Sequence, residues 1–238
     1  MSRTRRFVTL LARLRELHPE LADPLPEIRR GHVLLSGIPV TNPAALVPRD
    51  GSVALRVQEP LRGERKLQAV LTRFGVGVDG IVAVDVGAAA GGFTFALLHA
   101  GAARVYAVDA GHGQLRGSLR QDPRVVVLER TNISALTTAL VPESVDLITV
   151  DLSYLSVAEA APQLNRLDIR ASARLVALIK PMFELGLPGL PADDRLADAI
   201  DHAVRGVVDA GWRDPKWMRS PIAGGRGATE FLLHARRG

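Results

Sequence analysis

Lysine is scarce in this chain. Of its 30 basic side chains only Lys66, Lys180 and Lys216 are lysines, and the rest are arginines. A guanidinium keeps its proton in any protein, whereas a compact ammonium can be tuned as an acid or a base. A chain that uses arginine wherever any cation suffices therefore directs attention to its lysines, although chance survival is enough to explain one of the three. Lys180 closes an apolar run at 174–179, and other apolar runs also close in polar residues. Asp85 lies near the end of 81–86, Asp109 follows 104–108, and Asp151 follows 145–150. The run 125–128 leads through Glu129 to Thr131-Asn132. Such runs alternating with helical stretches predict a parallel sheet. Ligands of such sheets lie beyond the carboxyl ends of the strands. Asp85, Asp109, Asn132, Asp151 and Lys180 are thus expected to converge on one cleft. Each alone is more often a turn or cap residue, so the convergence is the signal.

The central stretch is 81–94. Positions 81–86, apolar and mostly β-branched apart from Asp85, predict a fully buried strand, followed by the small-residue loop Gly87-Ala88-Ala89-Ala90-Gly91-Gly92 and a helix ended by Gly101. Glycines let a ligand approach the backbone, and the first N–H groups of the helix face it. The spacing G-x-x-x-G-G lacks the G-x-G-x-x-G that makes room for a pyrophosphate, and no Gly-Lys-Ser/Thr follows. An acid two positions before the first glycine suits a ligand with positive charge. S-adenosylmethionine has an ammonium, a sulfonium and a ribose, and no phosphate. Asp109, about 20 residues beyond the loop, stands where a ribose-binding acid is expected. The alternative is an ordinary strand–helix turn without a ligand.

Composition excludes several classes. Cysteine is absent, so disulfides and thiolate metal sites are excluded, and six scattered histidines give no metal signal. The basic start resembles a charged leader, but Arg13 and Arg15 break the apolar run too early for a signal peptide. No stretch reaches membrane-spanning length. A cytoplasmic protein is expected. Residues 1–56 hold nine arginines (3, 5, 6, 13, 15, 29, 30, 49, 56) against five acids (16, 20, 23, 27, 50), which is +4 of the chain's net +5. A basic lobe of this kind either meets a polyanion or is a solvated charged face.

The positioning elements follow from periodicity. Apolar residues at 7, 10, 11, 14 and 17 predict a helix, Pro24 and Pro26 confine a second one to about 27–30, and 32–40 and 53–57 predict strands. Residues 1–58 thus form a small α+β domain, and Glu59-Pro60 opens a larger one at 59–238. There a basic helix, 62–74, buries Leu67, Val70, Leu71 and Phe74, with Lys66 at the rim of that face. A helix at about 193–210 covers the sheet through positions 196, 197, 200, 203, 204, 207 and 208. Strands at 216–218 and 229–235 form an antiparallel pair at the sheet edge, bringing Glu230 near the cleft. The expected architecture is α/β, a Rossmann-like sheet with an antiparallel last strand.

Taken together, these stretches resemble a known family. Asp85-Val86-Gly87 with Gly91-Gly92-Phe93, Val105-Tyr106-Ala107-Val108-Asp109, Gly113-Gln114-Leu115, Asp122-Pro123-Arg124-Val125 and Thr131-Asn132 resemble the TlyA family, the hemolysin-named branch of the FtsJ-type ribose methyltransferases. Asp151-Leu152-Ser153-Tyr154, Leu178-Ile179-Lys180-Pro181-Met182-Phe183-Glu184 and Glu230-Phe231-Leu232-Leu233 extend the resemblance over about 61–236. Ile28-Arg29-Arg30-Gly31 and Val33-Leu34-Leu35-Ser36-Gly37 are similar to the α-L RNA-binding domain that precedes the enzyme in that family, with Pro24 and Pro26 as departures. The resemblance implies a class I methyltransferase sheet and methyl transfer from S-adenosylmethionine to a ribose 2′-hydroxyl of rRNA, in this family a cytidine. It also implies ribosomal subunits as partners.

The resemblance further implies a Lys-Asp-Lys-Glu tetrad, matched here by Lys66, Asp151, Lys180 and Glu230. Lys180 is expected to stabilise the developing alkoxide or, deprotonated, to act as base. Asp151 holds it and receives the cofactor's amino group, while Lys66 and Glu230 orient the ribose. The expected cofactor contacts are Asp85, Gly87, Ala89, Gly91, Gly92, Phe93, Asp109, Asn132 and Asp151. RNA contacts are expected from Arg3, Arg5, Arg6, Arg29, Arg30, Arg62 and Arg65, and no metal is expected. The competing readings are a small-molecule methyltransferase and a non-catalytic RNA-binding protein. A pore-forming hemolysin is disfavoured by the lack of a membrane-length or strongly amphipathic segment.

Overall fold

The computed structural model describes residues 7–21, 23–29, 31–55 and 60–238 and divides the chain into two compact units, 1–59 and 60–238. The smaller unit contains β1 (Phe7–Thr9), α1 (Leu10–Leu17), α2 (Leu25–Arg29), β2 (Val33–Leu35), β3 (Ile38–Pro39), β4 (Leu46–Pro48) and β5 (Val53–Leu55). β1 pairs antiparallel with β4, while β2 lies between β3 and β5. Leu10, Leu14, Ile28, Val33 and Val47 form its core. The predicted first helix begins three residues late. Thr9 is extended and its hydroxyl accepts from the Ala12 N–H at 3.2 Å, so the cap sets the start and Phe7 joins a strand. β4 carries no strand signal in its sequence, being three residues long and ending in Pro48.

The larger unit starts with α3 (Arg62–Phe74), β6 (Val82–Val86), α4 (Gly92–His99), β7 (Arg104–Asp109), α5 (Gly117–Arg120), β8 (Val125–Glu129) and β9 (Val145–Val150). It continues with α6 (Val157–Ala160), β10 (Ile169–Ile179), α7 (Pro181–Glu184), α8 (Leu196–Asp209), β11 (Trp212–Arg219) and β12 (Phe231–Arg237). The seven strands are ordered β11-β12-β10-β9-β6-β7-β8. β10, β9, β6, β7 and β8 are parallel, and β12 runs antiparallel to both β10 and β11. The antiparallel ending is as expected.

β6 has both faces covered, which is why its sequence is apolar without alternation. One face carries α3 and α4 through Leu67, Val70, Leu97 and Leu232, and the other carries α6 and α8 through Val84, Ile148, Ala203 and Val207. Two of the positions predicted to cover the sheet from α8, 197 and 208, are exposed. Among the described residues, no helix is long and apolar enough to cross a membrane.

Candidate active site

Two lysine–carboxylate pairs form at the carboxyl ends of the strands. Lys180 stands between β10 and α7. Pro181 occupies the first turn of α7, where its missing N–H costs nothing, and it holds the preceding Lys180 backbone extended. The Lys180 ammonium then lies 2.7 Å from Asp151 Oδ1 and donates to Ser153 Oγ at 3.0 Å. Asp151, just past β9, is tied down by its own N–H, which donates to the Val86 carbonyl at 2.8 Å. The second pair joins Lys66, on α3, to Glu230, at the entrance to β12, by a hydrogen bond that spans 164 residues of sequence.

Lys66 is not at the rim of its helix face. It is only 6% exposed, as is Glu230. The cause is the close approach of α3 to α4. A Cβ on Gly92 would lie 2.9 Å from the Gly63 Cα, so the helices meet through two glycines and Lys66 is carried under the sheet edge.

Two cavities flank these pairs. One, about 280 Å³, is lined by residues 61–63, Gly87, the three alanines that follow it, Gly92, Phe93 and Asp151. The other, about 460 Å³, is lined by Lys180, Ser153, Glu230, the stretch 181–183, and the loops 188–191 and 225–229. Lys180 and Asp151 therefore form the partition between a glycine-loop cavity and a larger, partly apolar one.

The glycine loop departs from expectation in how it uses its N–H groups. Gly87 and Ala88 donate to the Val108 carbonyl at 2.8 and 3.0 Å, and Gly91 donates to the Ala88 carbonyl at 2.7 Å. Ala89 donates to Asp109 Oδ2 at 2.8 Å, while Asp109 Oδ1 accepts from Gly111 at 2.7 Å. Donors spent internally make no cradle for a phosphate. The Asp151 carboxylate at this cavity matches the cationic end of a nucleoside cofactor. In that sense the residues present fit S-adenosylmethionine.

Several expected contacts are corrected. Asp85 is fully buried, and its carboxylate accepts from the Thr94 and Thr149 hydroxyls at 2.6 and 2.8 Å. Burial pushes its pKa up to about 6 despite those two hydroxyls. It joins β6, β9 and α4 and does not face the cavity. Gly91 is buried beneath Leu115 and Leu119 at φ 93°, so its freedom serves packing. Phe93 is 3% exposed and belongs mainly to the core. Asn132 is exposed, and its side-chain oxygen accepts from Ser134 as the cap of a short 3₁₀ turn. Arg62, expected on RNA, donates to the Ala223 and Gly224 carbonyls at 2.5 and 2.9 Å, clamping the loop that leads to Glu230. Arg65 and Arg29 are exposed, whereas Arg3, Arg5, Arg6 and Arg30 lie outside the described residues.

Two participants stand in stretches that carry the resemblance, yet the sequence gives neither of them a role. Ser153 sits in the Asp-Leu-Ser-Tyr stretch, but only the fold shows that Lys180 reaches it. Glu184 is buried four residues after Lys180, where it accepts from the Val157 N–H at 2.5 Å and pairs with His202 at 3.0 Å. Burial raises its pKa. It fixes α7 to α6 and α8 behind the Lys180 partition.

The sheet order, with an antiparallel strand next to the edge, places the larger unit among Rossmann-like methyltransferase folds. A structure from Listeria monocytogenes named as an S-adenosylmethionine dependent methyltransferase superposes with TM-score 0.54 at 14% identity, over 74% of this chain and 98% of that one. Residues 61–237 match the family described as FtsJ-like methyltransferase, and the chain belongs to that family. It is 38% identical over 236 residues to the 16S/23S rRNA (cytidine-2′-O)-methyltransferase TlyA of Mycobacterium tuberculosis, covering 95% of this chain and 85% of that protein. A hemolysin-named structure from Streptococcus thermophilus aligns with TM-score 0.71 at 26% identity, over 98% of this chain and 90% of that one.

Proposed function

We propose that this chain transfers a methyl group from S-adenosylmethionine to a ribose 2′-hydroxyl of rRNA, a cytidine being the expected nucleotide. The observation that carries the reading is the Lys180–Asp151 pair standing between the two cavities. The cofactor supplies a methyl already activated on a sulfonium, so the remaining task is to make a poor nucleophile reactive and to place it. Held by Asp151, Lys180 directs its remaining N–H groups at the 2′-oxygen and offsets the negative charge that develops there as the hydroxyl proton passes to solvent water. Asp151 holds that ammonium and faces the cationic end of the cofactor. Ser153 fixes the ammonium's direction. Glu230, kept in place by Lys66, lines the larger cavity and accepts from the ribose. Gly87, Ala89 and Gly92 give the cofactor room, and Asp109, anchored to the loop by Ala89 and Gly111, receives its ribose.

The smaller unit, with Arg29 exposed at the end of α2, is proposed to contact RNA of cytoplasmic ribosomal subunits, and in the larger unit Arg65 is proposed to do so as well. The name of the Mycobacterium tuberculosis relative supports the substrate class. The test is transfer of a labelled methyl to ribosomal subunits, free rRNA and cell metabolites, followed by mass spectrometry of the digested RNA. Label on one ribose of rRNA supports the reading. Label confined to a small metabolite, or no calorimetric binding of S-adenosylmethionine, overturns it.

A further inference from the structure

Remote from the lysine–carboxylate partition, β12 carries a second polar feature. Glu230, Leu232, His234 and Arg236 alternate onto one face of the sheet, the face covered by α3. α3 runs alongside, from Lys66 at Glu230 to Phe74, whose ring stacks on His234 at 5.6 Å. Eight helical residues and four strand residues cover about the same 12–13 Å, so the two contacts mark the ends of one packed ridge.

His234 is 3% exposed, and neither of its ring nitrogens has a hydrogen-bond partner. A neutral imidazole always carries one N–H donor, and a buried donor without an acceptor is costly. The ring borders a cavity of about 560 Å³ that Arg73 of α3, Lys216 of β11 and Arg236 of β12 also line. Arg174 of β10 adds its charge from the neighbouring strand. Among the described residues, none of these four cations has an ion-pair partner. Among the described residues one acid lines the cavity, Asp214, which sits in the β11 bulge at φ 51°. Three cations against one acid leave a positive cavity with an unused donor at its wall.

We propose that this cavity binds a phosphate group, with His234 donating a ring N–H to a phosphate oxygen and Arg73, Lys216 and Arg236 supplying the charge. Under the function proposed above, the phosphate is one of the RNA backbone, taken about 13 Å along β12 from Glu230. That source rests on the proposed function, whereas the site itself does not. Burial, with the charges of Arg174, Arg236 and Lys216, pushes the free His234 down to about 4. A bound phosphate anion, singly charged in an RNA backbone and up to doubly charged when free, counters those cations and draws a proton onto the ring.

The test follows the histidine ring resonances of the full chain during titration with inorganic phosphate, with chloride at matched ionic strength as control. The expected result is one imidazole, missing in His234→Gln, whose low pKa rises with phosphate and not with chloride. Arg73→Gln, Lys216→Gln and Arg236→Gln, all at exposed positions, combine to weaken phosphate at least tenfold, and Asp214→Asn tightens it. A His234 resonance indifferent to phosphate overturns the site, as does unchanged affinity in the triple variant, and His234 is then only a ring stacked on Phe74. For the RNA source, binding of an rRNA fragment is measured against salt. Each lost cation contact is expected to lower the log–log slope by about 0.7–0.9. A phosphate response with an unchanged RNA slope supports the site and assigns it to free phosphate. A phosphate response in a protein that binds no RNA overturns the proposed function and leaves the site standing.

Discussion

The two lysine–carboxylate pairs are the same chemistry in two different solvents. The side chains of Lys66 and Glu230 are 8% and 6% exposed, whereas those of Lys180 and Asp151 are 15% and 26% exposed. In the closed pair each charge depends on the other, because water cannot replace a missing partner. In the half-open pair Lys180 already shares its ammonium with Ser153 and can turn a further N–H towards a substrate. One pair is built to hold position and the other to be used. The difference comes from what covers them: α3 seals the first against β12, while the second borders both cavities.

The comparison breaks most sharply at Lys66. Lys66→Met leaves Glu230 buried and unpaired, with an expected loss of about 3–5 kcal/mol in urea unfolding. Lys66→Met combined with Glu230→Leu is expected to recover most of that stability and none of the activity. A single variant as stable as the parent would show that the pair is not closed. Lys180→Arg comes next, since it keeps the charge and changes the shape. Turnover should fall by about 10²–10³-fold while calorimetric affinity for S-adenosylmethionine stays near the parent value. Retained turnover removes Lys180 from the chemistry.

A third variant tests how the closed pair is closed. Gly92→Ala places a methyl against the Gly63 backbone, at an expected cost of about 1–3 kcal/mol, and lifts α3 with Lys66. A crystal structure with α3 unmoved argues against the glycine contact as the positioning device.

The smallest effect is in pH dependence. His234 is lowered to about 4 from its ordinary 6.5, so the unfolded chain binds the extra proton first. Its contribution to stability is complete above pH 6.5 and is lost as pH falls towards 4. Asp85 is raised to about 6 from 3.8, so its contribution is complete below 3.8 and is lost as pH rises towards 6. The two slopes oppose each other over pH 4–6. His234→Phe should uncover the Asp85 slope, with stability now falling as pH rises through that window. An unchanged profile in denaturant melts would mean that His234 is not buried neutral.

Much of the larger unit is legible in its residues. The largely apolar runs at 82–86, 104–109 and 145–150, rich in valine and isoleucine, read as strands covered on both faces, and the polar residues at their ends mark one side of the sheet. Pro181 after Lys180 and Gly75 after Phe74 are local stops that act whatever surrounds them. Helical spacing misplaces Phe7, because it says nothing of the Thr9 cap that starts α1 later. Loop position alone assigns Asp85 and Gly91 to a ligand, and here it misleads. Whether a carboxylate turns into a cavity or into two threonine hydroxyls depends on β9 and α4, elements outside its own strand.

By itself, then, the sequence determined the strand order's raw material, the scarcity of lysine, and the stretch in which each reactive side chain would stand, because these rest on local sterics and periodicity. Only the tertiary structure decided which lysine met which carboxylate and which of the two pairs stayed wet. Solvent exclusion is set by packing between segments up to 164 residues apart, and no local pattern encodes it.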